Sequence, residues 1–182
     1  SAGYRGHKAD IYEGGHREPF LAKWPGRIKP GSTSDQIISI TDIFATCAEI
    51  TGVPLPDNTG EDSVSFLNCL LGKQVGPFRE ASVQQSGKKA FAIRKGKWKL
   101  IVHGDNKREL FDLNLDLGET NNIIRTHPQV AAELASLLQS YLDKGRSTPG
   151  KAQPLEYRIS LDEIRFKKKW IEQSILNFIL IE

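Results

Sequence analysis

The chain has 182 residues, 38% hydrophobic and 26% charged, and its 25 lysines and arginines against 22 aspartates and glutamates leave a net charge of +3. That length allows one hydrophobic core, or one core with a small satellite, and the composition excludes a disordered chain. The positive excess is slight and dispersed, with Lys167-Lys168-Lys169 its one dense run, which argues against a nucleic-acid partner, since such proteins gather basic charge together. There is no methionine and the chain opens on Ser1-Ala2-Gly3, which fits a piece of a longer protein. Cys47 and Cys69 lack the paired spacing and nearby histidines of a zinc site. Cys47, in an apolar helical stretch, is expected to be a buried thiol, with a disulfide to Cys69 as the alternative.

In chain order, Phe20 to Trp24 read as a short buried strand stopped by Pro25-Gly26, and Ile37, Ile38 and Ile40 as a further apolar strand or approach to a helix. Thr41 offers an N-cap to a helix with Ile43, Phe44, Cys47, Ala48 and Ile50 at helical spacing and Gly52 as its stop. Pro54, Pro56 and Gly60 make 53–63 a loop, and 64–71 is a short apolar turn of helix ended by Gly72. The period then changes to two. Ala81 to Val83, Phe91 to Arg94, Trp98 to Val102 and Glu109 to Leu113 are expected strands, with Lys95-Gly96 turning between the second and third. Pro128 opens a helix whose Val130, Leu134, Leu137, Leu138, Tyr141 and Leu142 share one face, and Gly145 closes it.

Beyond 150 the chain carries Leu161, Ile164, Ile171, Ile175, Phe178 and Ile179 at roughly helical spacing. The final apolar stretch falls short of the ~20 residues that span a bilayer, so no membrane span is expected. A basic run before an apolar helix is compatible with a membrane surface; packing on its own chain or on a partner is the favoured reading.

The densest run of chemistry-bearing residues is GHKADIYEGGHREPF, Gly6 to Phe20, followed by LAKWPGRIKPG. It resembles a segment of the type I sulfatases of the alkaline phosphatase superfamily, G-x-K-x-x-x-[YFW]-E-G-G-x-R-x-P and then W-P-G. AIRKGKWKLI (Ala92 to Ile101), ELFDLNLDLGETNNI (Glu109 to Ile123) and GRSTPG (Gly145 to Gly150) continue the resemblance. The fold it implies is α/β: residues 1–75 as the last part of an alkaline-phosphatase-like sulfatase α/β domain and 76–150 as a small α+β subdomain with an antiparallel sheet and one amphipathic helix. Residues 151–182 match nothing in the family and form a tail of unknown role, helical by its spacing. A cut through such a domain would leave apolar surface exposed and open to self-association. The resemblance also implies a periplasmic or secreted location.

In the family the lysine matching Lys8 binds the sulfate, and a compact ammonium suits the charge on sulfate-ester oxygens. Lys8 is therefore the candidate catalytic residue. Without its motif it would read as a solvated surface lysine. His7, beside it, is either a substrate contact or a surface histidine. Glu13 and Arg17, four apart around Gly14-Gly15, read as an ion pair holding the Lys8 loop, with the glycines supplying backbone freedom. Gln84, Gln85 and Ser86 offer amides and a hydroxyl to sugar hydroxyls, or form a plain exposed loop. Asp112, Asp116 and Glu119 lack the spacing and glycine of a calcium loop and read as turn-forming and capping residues; no metal ligand is assigned. By resemblance, calcium and a formylglycine nucleophile belong upstream, since no C/S-x-P-x-R occurs here. The expected function is sulfate-ester hydrolysis on an anionic sulfated polysaccharide or oligosaccharide, with the isolated chain inactive. The alternatives are a phosphodiesterase or phosphonate hydrolase of the same superfamily, or a non-catalytic binding module.

Overall fold

Alternation of period two between residues 82 and 112 produces an antiparallel meander. A computed structural model describes residues 3–87, 89–154 and 159–161. Strands β1 (Ser82–Gln85), β2 (Phe91–Lys95), β3 (Trp98–Val102) and β4 (Arg108–Asp112) lie in that order in one sheet, every neighbour antiparallel. Gly96 takes φ 57° in the two-residue turn between β2 and β3, where Lys95 pairs with Trp98; glycine is favoured in that backbone region.

The register divides the strands' side chains between two faces. Phe91, Ile93, Leu100, Val102 and Leu110 share one face, and helix α4 (Pro128–Lys144) covers it with Ala131, Leu134 and Leu138. Ile93, Leu100 and Leu138 are fully buried, each contributing about 1.5–3 kcal/mol. Gly145 ends α4 in the left-handed conformation at φ 64°. On the other face Ala92, Ile101 and Phe111 pack against Ile11, with Tyr12 at the margin. That second cover is the segment Gly6 to Phe20, so the sheet is buried on both sides.

Three shorter helices precede the sheet: α1 (Glu13–His16), α2 (Asp42–Thr51) and α3 (Leu67–Leu70). Helix α2 is turned the opposite way from its sequence pattern. Its buried residues are Asp42 and Thr46, while Ile43, Phe44, Cys47 and Ile50 are exposed. Polar contacts hold it. Asp42 accepts from the backbone N–H groups of Ser39 and Val64 and from Arg79, and Thr46 Oγ1 accepts from the Phe66 N–H. Cys47 is therefore not a buried thiol, and both it and Cys69 are free.

The expected strand Phe20 to Trp24 is absent. Leu21 is 95% exposed, and Phe20 rests edge-on against Phe66 at 5.4 Å. An extended segment becomes a strand only where another strand takes its N–H and C=O groups, and none of the four described strands does. Residues Ile37, Ile38 and Ile40 are likewise irregular, with Ile40 84% exposed. Of the expected helical tail, Leu161 is described and packs in the α4 core; Ile164, Ile171, Ile175, Phe178 and Ile179 lie outside the described residues. Among the described residues no helix is long and apolar enough to cross a membrane.

Candidate functional site

The segment around Lys8 is a tight loop closed by backbone-on-backbone packing. The Gly14 N–H donates to the Arg5 carbonyl at 2.7 Å, and the Asp10 N–H to the His7 carbonyl at 2.9 Å. A Cβ on Gly14 would sit 2.6 Å from the Arg5 oxygen, and one on Gly15 would sit 2.8 Å from the Asp10 carbonyl carbon. Only glycine admits that approach. Asp10 ties the turn from within, accepting from the His7 N–H at 3.2 Å and lying 2.9 Å from His7 Nδ1. Ala9 takes φ 75°, a left-handed conformation that costs a residue with a Cβ roughly 1–2 kcal/mol. Lys8 stands exposed beside it, with no ion pair to any described residue. His7 is exposed as well.

Beneath this loop lies a buried ionic cluster. Glu13, 1% exposed, meets Lys99 Nζ at 3.0 Å through Oε1, and Arg94 at 3.3 Å and Arg17 at 3.4 Å through Oε2. Lys99 sits on β3 and is completely buried. Its ammonium also meets Glu119 at 2.8 Å and His16 Nε2 at 3.2 Å. Glu119 closes the ring by accepting the Glu13 N–H at 2.6 Å. Arg17 is thus one partner of Glu13 among three cations, and two of them come from the sheet. The Glu119 N–H closes the expected turn on the Asp116 carbonyl at 3.2 Å, while its side chain is an acceptor inside this cluster, because the motif segment lies over it.

Environment divides the two carboxylates. Burial would raise Glu13, but Lys99 and Arg94 outweigh it and hold the carboxyl below its ordinary value. In Glu119 burial wins over the pull of Lys99, and the carboxyl is raised. Burial, then the adjacent Lys99 ammonium, depress the His16 imidazole. Below about pH 6.5 the unfolded chain therefore binds the His16 proton more readily than the folded one, and acidification removes stability. Glu119 acts in the opposite sense as the pH falls through its raised value, so the histidine is isolated by comparison. On melting from about pH 8 to about pH 5.5, wild type should lose more thermal stability than His16→Gln. Equal losses in the two proteins would place the effect elsewhere.

A second polar group flanks the loop. Tyr12 donates to Glu109 Oε2 at 2.8 Å, His103 Nε2 lies 2.7 Å from the same oxygen, and the Arg5 guanidinium stacks 3.7 Å over the Tyr12 ring. Burial and the bond to Glu109 push the Tyr12 hydroxyl up to about 12, so it stays a neutral donor. The aromatic position of the motif is thereby bolted to β4.

The strand alternation separates the remaining candidates. Gln84 pairs with Ala92 and shares the motif's face, whereas Gln85 pairs with Phe91 and shares the face of α4. Gln84 donates to Ser82 Oγ at 2.7 Å, and Ser86 is buried. No hydrogen bond or ion pair among the described residues joins Gln84 or Gln85 to Lys8. A cleft of about 480 Å³ lined by Arg79, Gln85, Tyr141 and Arg146 opens on the α4 side, away from the motif. Among the described residues no group of three His, Cys, Asp or Glu side chains could hold a metal ion.

Residues 6–147 match the family model of N-sulphoglucosamine sulphohydrolase, C-terminal. An N-acetylgalactosamine-6-O-sulfatase of Bacteroides thetaiotaomicron is 39% identical over 152 residues, 75% of this chain and 29% of that protein. A solved structure from work on glycosaminoglycan metabolism by Bacteroides thetaiotaomicron superposes with TM-score 0.70 at 39% identity, covering 76% of this chain and 32% of the other. Another, in complex with its substrate D-glucosamine-2-N,6-O-disulfate, gives TM-score 0.57 at 26% identity over 65% of this chain and 26% of its own. The chain thus spans about a third of the length of the relatives it matches.

Proposed function

The chain belongs to the sulfatases, through the C-terminal family of N-sulphoglucosamine sulphohydrolase, and from that premise we propose that it is part of an enzyme hydrolysing sulfate esters of amino-sugar polysaccharides or oligosaccharides. The observation that carries this reading is the placement of Lys8. An unpaired, exposed ammonium stands at the tip of a loop whose backbone is fixed by glycine contacts and a buried ionic base. Such a preset cation can meet the oxygens of a bound sulfate and the negative charge that grows as the ester bond breaks, without transferring a proton. His7, exposed next to it, is a further contact for the sulfated sugar. Glu13, Gly14, Gly15 and Arg17 hold the loop and do no chemistry. An amino sugar fits the relative named for N-acetylgalactosamine 6-O-sulfate and the neighbour bound to a disulfated glucosamine.

The family's calcium ion and formylglycine nucleophile have no seat among the described residues. No metal cluster occurs there, and neither Cys47 nor Cys69 begins a C-x-P-x-R sequence. In this reading both belong to sequence preceding residue 1, and the exposed apolar side of α2 is where that part of the domain packs. The test is release of inorganic sulfate from 6-O-sulfated amino-sugar oligosaccharides. The full-length protein should release it and residues 1–182 alone should not. Turnover by the isolated chain, or none by the full-length protein with its formylglycine formed, would refute the proposal.

A further inference from the structure

A lysine with no exposed surface, in the middle of a strand, is an expensive placement unless its charge is spent on something. Lys99 is 0% exposed, and its ammonium lies 3.0 Å from Glu13, 2.8 Å from Glu119 and 3.2 Å from His16 Nε2. Two of the partners lie on α1, inside the motif, and the third lies in the segment after β4. Glu119 in turn accepts the N–H of Glu13 and holds φ 50°, a conformation residues with a Cβ resist. Arg5, four residues before Ala9, donates to the Glu119 carbonyl at 2.8 Å, and its own carbonyl accepts from Gly14. The ionic routes from the sheet to the backbone of the Lys8 turn thus pass through Glu13 or Glu119, and Lys99 joins those two; Tyr12 on Glu109 and Ile11 in the apolar face anchor the segment beside them.

We propose that Lys99, with Glu119, is a positioning residue for Lys8: the buried ammonium sets where the Lys8 turn stands, although it touches no substrate. The inference rests on the sulfate-binding role proposed for Lys8. The alternative is that Lys99 only adds global stability, and a double-mutant cycle in the full-length protein separates the two. Lys99→Met should lower kcat by about a hundredfold, the scale of an ångström-sized displacement at a reacting centre. In a Lys8→Ala background the same change should cost less than about twofold, because the group it positions is gone. Independent, multiplying losses would overturn the proposal.

A second readout needs no activity. In the full-length protein, hydrogen–deuterium exchange of Lys99→Met should quicken in peptides spanning 5–17 while those of β2 and β3 keep wild-type rates. Uniform acceleration would make the role a global one and overturn positioning. Should Lys99→Met not fold, Glu119→Gln keeps the ammonium and the side-chain shape and reads the same coupling. Faster exchange confined to 5–17 supports the inference, and unchanged exchange there sinks it. If the full-length protein releases no sulfate from any ester, the functional reading fails while the exchange result still decides what Lys99 does.

Discussion

Gly15→Ala in the full-length protein is expected to lower turnover by about a hundredfold, with formylglycine formed and the fold retained. The added methyl would lie 2.8 Å from the Asp10 carbonyl carbon and 2.9 Å from the His7 carbonyl oxygen. These are backbone atoms of the turn that carries Lys8, so no side chain can swing aside to make room. Either α1 lifts from the sheet or the turn moves. The first path breaks the contact of Glu13 with a fully buried Lys99, so the turn is the part that yields. Overpacking of this kind also costs roughly 1–3 kcal/mol of stability. Sulfate release and thermal melting on the same preparation check both effects. A Gly15→Ala protein with wild-type turnover would show that the turn need not be held where it stands.

The sheet and its helix were legible because each face of the meander repeats cleanly. Trp98, Leu100 and Val102 alternate on β3, Pro128 and Gly145 bracket α4, and both patterns are local. What local pattern could not give was the second cover. Alternation sends Lys99 outward from the α4 face, and outward reads as solvent. The clue that it was not lay in Ala92, Ile101 and Phe111, apolar residues on the same outward face. A strand whose two faces are both apolar is covered twice, and the motif Gly6 to Phe20 was the segment available to do it. The inversion of α2 has a related cause. Its apolar side was read correctly from spacing, but within this chain the polar side finds partners first, through Asp42, Thr46 and Arg79. The apolar side remains exposed, as does the neighbouring segment at Leu21.

The candidate site was legible through its motif rather than through periodicity. The loop supplied Lys8, Glu13, Gly14, Gly15 and Arg17 together, whereas Arg94, Lys99 and Glu119 come from positions that look unremarkable in the linear sequence. Gln84 and Gln85 stand next to each other in sequence and point to opposite faces. Sequence adjacency was the wrong measure there, since neighbouring residues on a strand diverge.

Lys8→Ala in the full-length protein carries the largest expected effect. The exposed ammonium makes no ion pair to a described residue, so its removal leaves no buried charge behind and the fold should keep its stability. What is lost is a cation aimed at oxygens whose negative charge grows on the way to the transition state. One such preorganised contact is worth roughly 3–4 kcal/mol, or about a hundredfold to a thousandfold in turnover. Lys8→Arg should restore only part of this, because a planar guanidinium cannot put its charge where a compact ammonium did. Glu13→Ala offers the contrast: it strands Lys99 and Arg94 in a buried site, which typically costs about 3–5 kcal/mol of stability. Melting and sulfate release, measured together on all three variants, separate chemistry from support. Near-wild-type turnover in Lys8→Ala, with folding and formylglycine content confirmed, would remove Lys8 from the active site and leave the loop a purely structural element.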